Sequence, residues 1–126
     1  DALEGFTSLE DLAAGWEAAP PTPLQKRRLV RSIARFARAF HGVGMIHRDF
    51  YICHLLAEQA AWAAGRVELA VLDLHRARIF RRIPTRWLAR DLAALLFSTL
   101  DLPLDRRAWY RFLRVYRGQP LRKTLS

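Results

Sequence analysis

Apolar residues recur at helical spacing in three stretches of the chain. Between Leu24 and His41, the residues Leu29, Ile33, Phe36, Ala37 and Phe40 fall on one helix face, while Arg27, Arg31, Arg35 and Arg38 line another side. Gly42 and Gly44 end the pattern, as glycine does where a helix must stop. A second helix is expected from about Thr85 to Leu100, with Leu88, Leu92, Leu95, Leu96 and Thr99 on one face. A third follows Pro103, with Asp105 as a capping residue and Trp109, Phe112, Leu113 and Tyr116 as its apolar stripe; Gly118 and Pro120 stop it. A shorter helix runs toward Trp16 from a cap at Thr7 or Ser8, with Glu10 and Asp11 in its first turn. Pro20, Pro21 and Pro23 then form a connector.

Two segments depart from the helical period. The run from Val67 to Leu72 reads as a short strand ending at Asp73. Between Met45 and Leu56 the pattern is neither helical nor alternating. Met45, Ile46, Phe50, Tyr51 and Ile52 interleave with His47, Arg48, Asp49, Cys53 and His54, as in a partly buried functional loop. Residues 57–65 carry no clear period. Together these elements predict a mainly α chain with a small β element, an α+β fold, organised as a single domain over residues 1–126.

Composition changes this picture little. A chain that is 52% hydrophobic and 26% charged is ordinary for a globular domain. Its longest uncharged runs, such as Leu92 to Leu100, fall well short of the roughly 20 residues that span a bilayer. The opening residues, with Asp1 and Glu4, lack the basic-then-apolar pattern of a signal peptide. Cys53 is the single cysteine, which excludes an intrachain disulfide and fits a reducing compartment.

Charge changes it more. The net charge of +9 attracts anions without choosing among nucleic acid, acidic membrane, phosphorylated ligand or acidic protein. Arginine outnumbers lysine 19 to 2, and arginine suits bidentate contact with phosphate or carboxylate. The first 25 residues hold no basic side chain. Arg76, Arg78, Arg81, Arg82, Arg86 and Arg90 then crowd one segment that has no carboxylate between Asp73 and Asp91. A last cluster runs from Arg106 through Arg122 and Lys123, and a solvated helix face accounts for it equally well. No RNP or zinc-finger module accompanies the arginines, so nucleic acid is not expected as a partner.

Three aspartates carry the candidate chemistry. His47-Arg48-Asp49 follows the long helix, and His54 stands five residues after Asp49. Asp73 ends the strand 24 residues later, and Asp91 sits in the helix after the basic segment. This order has the layout of a kinase C-terminal lobe. Phosphoryl transfer needs one carboxylate beside the acceptor hydroxyl and another to hold Mg²⁺ against nucleotide phosphates. Asp49 fits the first role and Asp73 the second. Arg48 is expected to fix the loop, and Asp91 to accept hydrogen bonds from its backbone. A loop aspartate capping a turn is the plainer account of Asp49 alone; the pairing with Asp73 favours the kinase reading. His47, Cys53, His54 and His75 lack zinc-finger spacing, and no third group orients a Cys–His nucleophile.

A resemblance sharpens this. The run His47-Arg48-Asp49-Phe50-Tyr51-Ile52-Cys53-His54 resembles the lipopolysaccharide core heptose (I) kinases, the WaaP/RfaP family. So do Val71-Leu72-Asp73-Leu74-His75-Arg76-Ala77, Pro84-Thr85-Arg86-Trp87, Arg90-Asp91-Leu92, Trp109 with Phe112, Val115 and Tyr116, and Ser8-Leu9-Glu10-Asp11. The likeness spans nearly the whole chain. It implies a kinase-like C-lobe that transfers the ATP γ-phosphate to the first heptose of the lipopolysaccharide inner core, with ATP and Mg²⁺ as cofactors. It implies His47, Arg48 and Asp49 as catalytic residues and Asp73 with His54 at the metal.

It also implies a cytoplasmic protein, peripheral at the inner membrane of a Gram-negative bacterium, and an association with acyl carrier protein. Arg76, Arg78, Arg81 and Arg82 are expected to hold the anionic acceptor. His54 stands where most kinases carry a metal-binding Asn, and Leu74-His75 replaces the usual Phe-Gly. No glycine-rich phosphate loop is present, so the chain reads as starting in the hinge near residues 1–5. Asp1 and Leu3 would then contact the nucleotide, and a separate N-lobe would complete the enzyme. Two other readings stay open: a kinase of the same fold acting on another sugar, small molecule or protein, and a non-catalytic binding module.

Overall fold

The computed structural model describes residues 4–100, 102 and 104–118. Pro103, Pro120, Arg122 and Lys123 lie outside them. The described chain is mainly helical with short strands, in the order β1 (Phe6–Ser8), α1 (Leu9–Ala14), α2 (Pro23–Gly42), β2 (Met45–Ile46), β3 (Leu55–Glu58), α3 (Gln59–Ala63), β4 (Leu69–Val71), β5 (Arg78–Ile79), α4 (Thr85–Ser98) and α5 (Arg106–Arg117). Single 3₁₀ turns at Ile52–His54 and Leu74–Arg76 follow the two candidate catalytic segments.

The long helix α2 is bounded by local chemistry. Thr22 Oγ1 accepts from the Gln25 N–H at 3.1 Å, and the Gln25 side chain accepts from the Thr22 N–H at 2.8 Å. This reciprocal cap, with Pro23 in the first turn, satisfies donors that a helix start leaves open. Ser8 caps α1 through the Asp11 N–H, and Asp105 caps α5 through the Ala108 N–H. Helix α2 buries Leu29, Val30, Ile33, Ala34, Ala37 and His41. Helix α5 packs along it, with Phe112 buried and Trp109, Leu113 and Tyr116 half-buried. Phe40 stacks on Phe50, tying α2 to the loop after β2.

Strands β1, β3 and β4 form an antiparallel sheet with β3 central. Leu55 pairs with Val71, and Leu56 with both Ser8 and Ala70. Leu55, Leu56 and Ala57 are all buried, so β3 shows no alternation and is hard to see as a strand in sequence. The segment 45–65 was expected as one irregular loop with an unassigned tail, and it contains β2, β3 and α3 instead.

A second ribbon pairs β2 with β5, setting Met45 opposite Ile79 and Ile46 opposite Arg78. It folds the basic segment back onto the start of the catalytic loop. Gly44 makes this possible. Its φ is +89°, and a Cβ there would run into the Phe80 carbonyl oxygen.

Candidate active site

Two loops meet through one buried imidazole. His47 Nε2–H donates to the Leu72 carbonyl at 2.7 Å, which leaves Nδ1 to accept from the Asp49 N–H at 3.1 Å. One side chain therefore joins the backbone of Asp49 to the residue preceding Asp73. His54 holds the loop from the other side: its Nδ1–H donates to the Asp49 carbonyl at 2.7 Å, and its ring stacks on His47 at 5.3 Å. With Nδ1 donating, His54 Nε2 faces Asp73 Oδ2 at 3.3 Å.

Asp91 fastens the same loop from α4. Its carboxylate accepts from the His47 N–H at 2.8 Å, the Arg48 N–H at 2.9 Å and His41 Nε2 at 2.9 Å. His41 Nδ1 is in turn bonded to the Tyr116 hydroxyl at 2.8 Å. Burial pushes the Asp91 pKa up. The hydrogen bonds from His41 and the two backbone N–H groups outweigh burial, so the carboxyl sits below its usual range. Tyr116 is pushed up, by burial first and then by the Asp91 charge.

Among the described residues, the non-glycine positions with positive φ are Arg48, at +76°, and Asp73, at +65°. Left-handed backbone costs an ordinary residue roughly 1–2 kcal/mol. Its occurrence at both candidate loops, and nowhere else outside glycine in these residues, marks where the fold holds strain for a purpose.

The arginines divide between places. One guanidinium nitrogen of Arg76, Nη1, donates to both carboxylate oxygens of Asp49, at 2.9 and 3.1 Å. Arg78 lies over the Phe80 ring. Arg81 and Arg82 line a cavity of about 440 Å³ with Arg38, His41 and Tyr116, and Asp49 is not among its lining residues. The acceptor set expected from sequence is thus not one patch. Asp1 and Leu3, the expected nucleotide contacts, lie outside the described residues.

Sequence reasoning missed the Arg76–Asp49 pair, the His47 bridge and the Tyr116–His41–Asp91 chain. The last had a visible signal. His41 continues the buried face of α2 four residues after Ala37, and a polar group on a core face needs a partner.

Asp73 is half-exposed and offers the hard oxygen ligands that Mg²⁺ takes, with His54 Nε2 at 3.3 Å. His75 Nδ1 pairs with the other Asp73 oxygen. No group of three or more His, Cys, Asp or Glu side chains gathers to hold a metal among the described residues. Mg²⁺ takes one or two carboxylates and fills its shell with phosphates and water, so Asp73 is the side chain that would hold it.

Comparisons with known proteins identify the family. The model of the lipopolysaccharide kinase (Kdo/WaaP) family matches residues 1–116. The chain is 42% identical over 120 residues to the lipopolysaccharide core heptose(I) kinase WaaP of Escherichia coli (strain K12), covering 94% of this chain and 45% of that relative. It is 47% identical over 124 residues to the enzyme of the same name from Pseudomonas aeruginosa, covering 98% and 46%. A solved structure of WaaP in complex with acyl carrier protein superposes with a TM-score of 0.89 at 44% identity, covering 97% of this chain and 51% of that one. The chain spans about half the length of the curated relatives it matches. The family match over nearly all of the chain, the two relatives and the shared fold lead to one conclusion: this chain belongs to the lipopolysaccharide kinase (Kdo/WaaP) family.

Proposed function

We propose that this chain is the catalytic lobe of an ATP-dependent kinase that phosphorylates the first heptose of the lipopolysaccharide inner core. The observation that carries the proposal is the coupling of Asp49 and Asp73 through His47, in a chain of this family. The relatives' names supply the acceptor.

Asp49 takes the acceptor hydroxyl proton as that oxygen bonds to the γ-phosphorus of ATP and the bond from that phosphorus to the bridging oxygen breaks, releasing ADP. Its carboxylate has about four lone-pair sites, and Arg76 uses two, so the hydroxyl has room to donate. The fixed backbone of Asp49 keeps the carboxylate in place, which lowers the entropic part of the barrier. Asp73, with His54 beside it, is positioned to hold Mg²⁺; bound there, the ion would neutralise charge on the phosphate oxygens.

The nucleotide would sit between this lobe and an N-lobe, with Asp1 and Leu3 near the hinge. Acyl carrier protein is included as a partner because the solved relative is a complex with it and because the +9 charge suits an acidic protein. Among the described residues no helix is long and apolar enough to cross a membrane. Peripheral attachment at the inner face of the inner membrane is the placement we propose for a kinase with a lipid-linked acceptor.

The test is phosphate transfer from ATP to lipopolysaccharide lacking its core phosphate. It uses the full-length parent and its Asp49→Ala and Asp73→Ala variants. Transfer should fall by about 10² or more in each variant while each still folds. No transfer by the intact parent would move the activity to a different acceptor.

A further inference from the structure

Three guanidinium groups converge on one indole beside the catalytic loop. Arg48, Arg86 and Arg90 lie 5.6, 5.7 and 4.8 Å from the centre of the Trp87 ring. The indole accounts for part of the attraction. It does not account for three like charges held around one ring. Among the described residues none of the three makes a salt bridge. The adjacent carboxylate, Asp91, is turned inward and already accepts from His41, His47 and Arg48 backbone. Asp49 is taken by Arg76.

The backbone points the same way. Arg48 reaches Trp87 from a left-handed conformation, at a cost that glycine or asparagine would avoid. Trp87 and Arg86 lie in the first turn of α4. Pro84 at the cap offers no side-chain acceptor; its carbonyl takes the Trp87 N–H at 3.0 Å, and the N–H groups of Thr85 and Arg86 have no capping side chain.

We infer that Arg48, Arg86 and Arg90, held on Trp87, form a binding site for an oxyanion of the acceptor, a carboxylate or phosphate near the hydroxyl that is phosphorylated. Arg78 instead lies over Phe80, and Arg81 and Arg82 line the cavity beside Tyr116. The oxyanion site is adjacent to the base because Arg48 immediately precedes Asp49. Arginine's planar fork matches either oxyanion in a bidentate manner. Assigning the anion to the acceptor rests on the proposed kinase function; the presence of an anion site does not.

The test uses the full-length parent and its Arg86→Gln/Arg90→Gln variant, leaving Arg48 in place. Binding is read first, without turnover, from the Trp87 indole N–H resonance, identified by its loss in Trp87→Phe. Titration with inorganic phosphate should shift that resonance in the parent and not in the variant; an unshifted parent resonance overturns the site. Kinetics then assign the anion. The variant should raise the acceptor KM about tenfold while the ATP KM moves less than twofold.

Acceptor with its sugar carboxylates amidated, and acceptor with its lipid phosphates removed, separate the two sources. The one that carries the anion should weaken the parent by the same factor and cost the variant nothing further. Losses that simply multiply for both acceptors, or a variant that raises the ATP KM instead, overturn the assignment to the acceptor. A parent that binds phosphate but transfers nothing to lipopolysaccharide would retain the site and reject only the proposed acceptor.

Discussion

Asp91→Ala should damage the fold before it damages the chemistry, and the size of the effect follows from its contacts. Asp91 is 2% exposed and its carboxylate accepts three hydrogen bonds. Alanine would leave the N–H groups of His47 and Arg48, and one nitrogen of His41, without partners. A buried donor that loses its acceptor costs about 1–3 kcal/mol. Allowing for partial relaxation, the sum is about 3–6 kcal/mol, a large part of the roughly 5–15 kcal/mol that holds a domain folded.

Asp91→Asn keeps the shape and one carbonyl oxygen, so it should cost roughly half as much. Urea titration of the full-length protein reads both, as a lower midpoint at unchanged slope. pH adds a second signature. The folded pKa of Asp91 is depressed, so its stabilisation is complete above the unfolded value of about 3.9 and is lost as pH falls through the folded value. The acid limb of stability should therefore be flatter in Asp91→Ala than in the parent. An alanine cost below about 1 kcal/mol, or an unchanged acid limb, would refute the view that this carboxylate anchors the loop.

Gly44→Ala should destabilise by about 2 kcal/mol or more, since it combines a positive φ with a collision at the Phe80 carbonyl. Gly42→Ala, where nothing lies within 4 Å of a new Cβ, should be neutral or stabilising by up to about 1 kcal/mol in the same thermal melt. Tyr116→Phe removes the partner of His41 Nδ1 and should cost about 1–2 kcal/mol. Ultraviolet titration of the parent should show one phenol ionising above the usual value of about 10 that is missing from the variant. Arg76→Ala should lower kcat/KM at least tenfold by releasing Asp49; activity within twofold of the parent would count against it.

The helices were legible because their periodicity and caps agree. Ser8 and Asp105 are capping residues in the expected places, Thr22 is a cap concealed within the proline connector, and α2, α4 and α5 bury apolar faces close to those read from spacing. Of the strands, β4 was legible, inside the run from Val67 to Leu72, and the others were not. β2 and β5 have two residues each, too few for a period, and β3 is buried throughout. At the site, residue types and chain order pointed to Asp49, Asp73 and Asp91. Which arginine meets which partner could not be read, because the β2–β5 ribbon decides it. Pairing Met45 with Ile79 swings Arg76 onto Asp49, and nothing in the run from Arg76 to Arg90 announces that turn. His47 escaped notice as a bridge because its acceptor is the Leu72 carbonyl, a group that every residue possesses.

Helix α4 turns consecutive residues to opposite duties. Asp91 faces inward and holds the catalytic loop, while Arg90 faces outward over Trp87. A helix advances about 1.5 Å per residue and resists stretching, so the two are set at a fixed offset. With an anion seated on the outer face, α4 acts as a ruler. An acceptor is accepted when its charge and its hydroxyl are separated by the interval that the helix spans, and an acceptor with one more sugar between them holds its hydroxyl out of reach of Asp49. Selectivity would then reside in a length, and changing it would require moving a helix rather than exchanging a side chain.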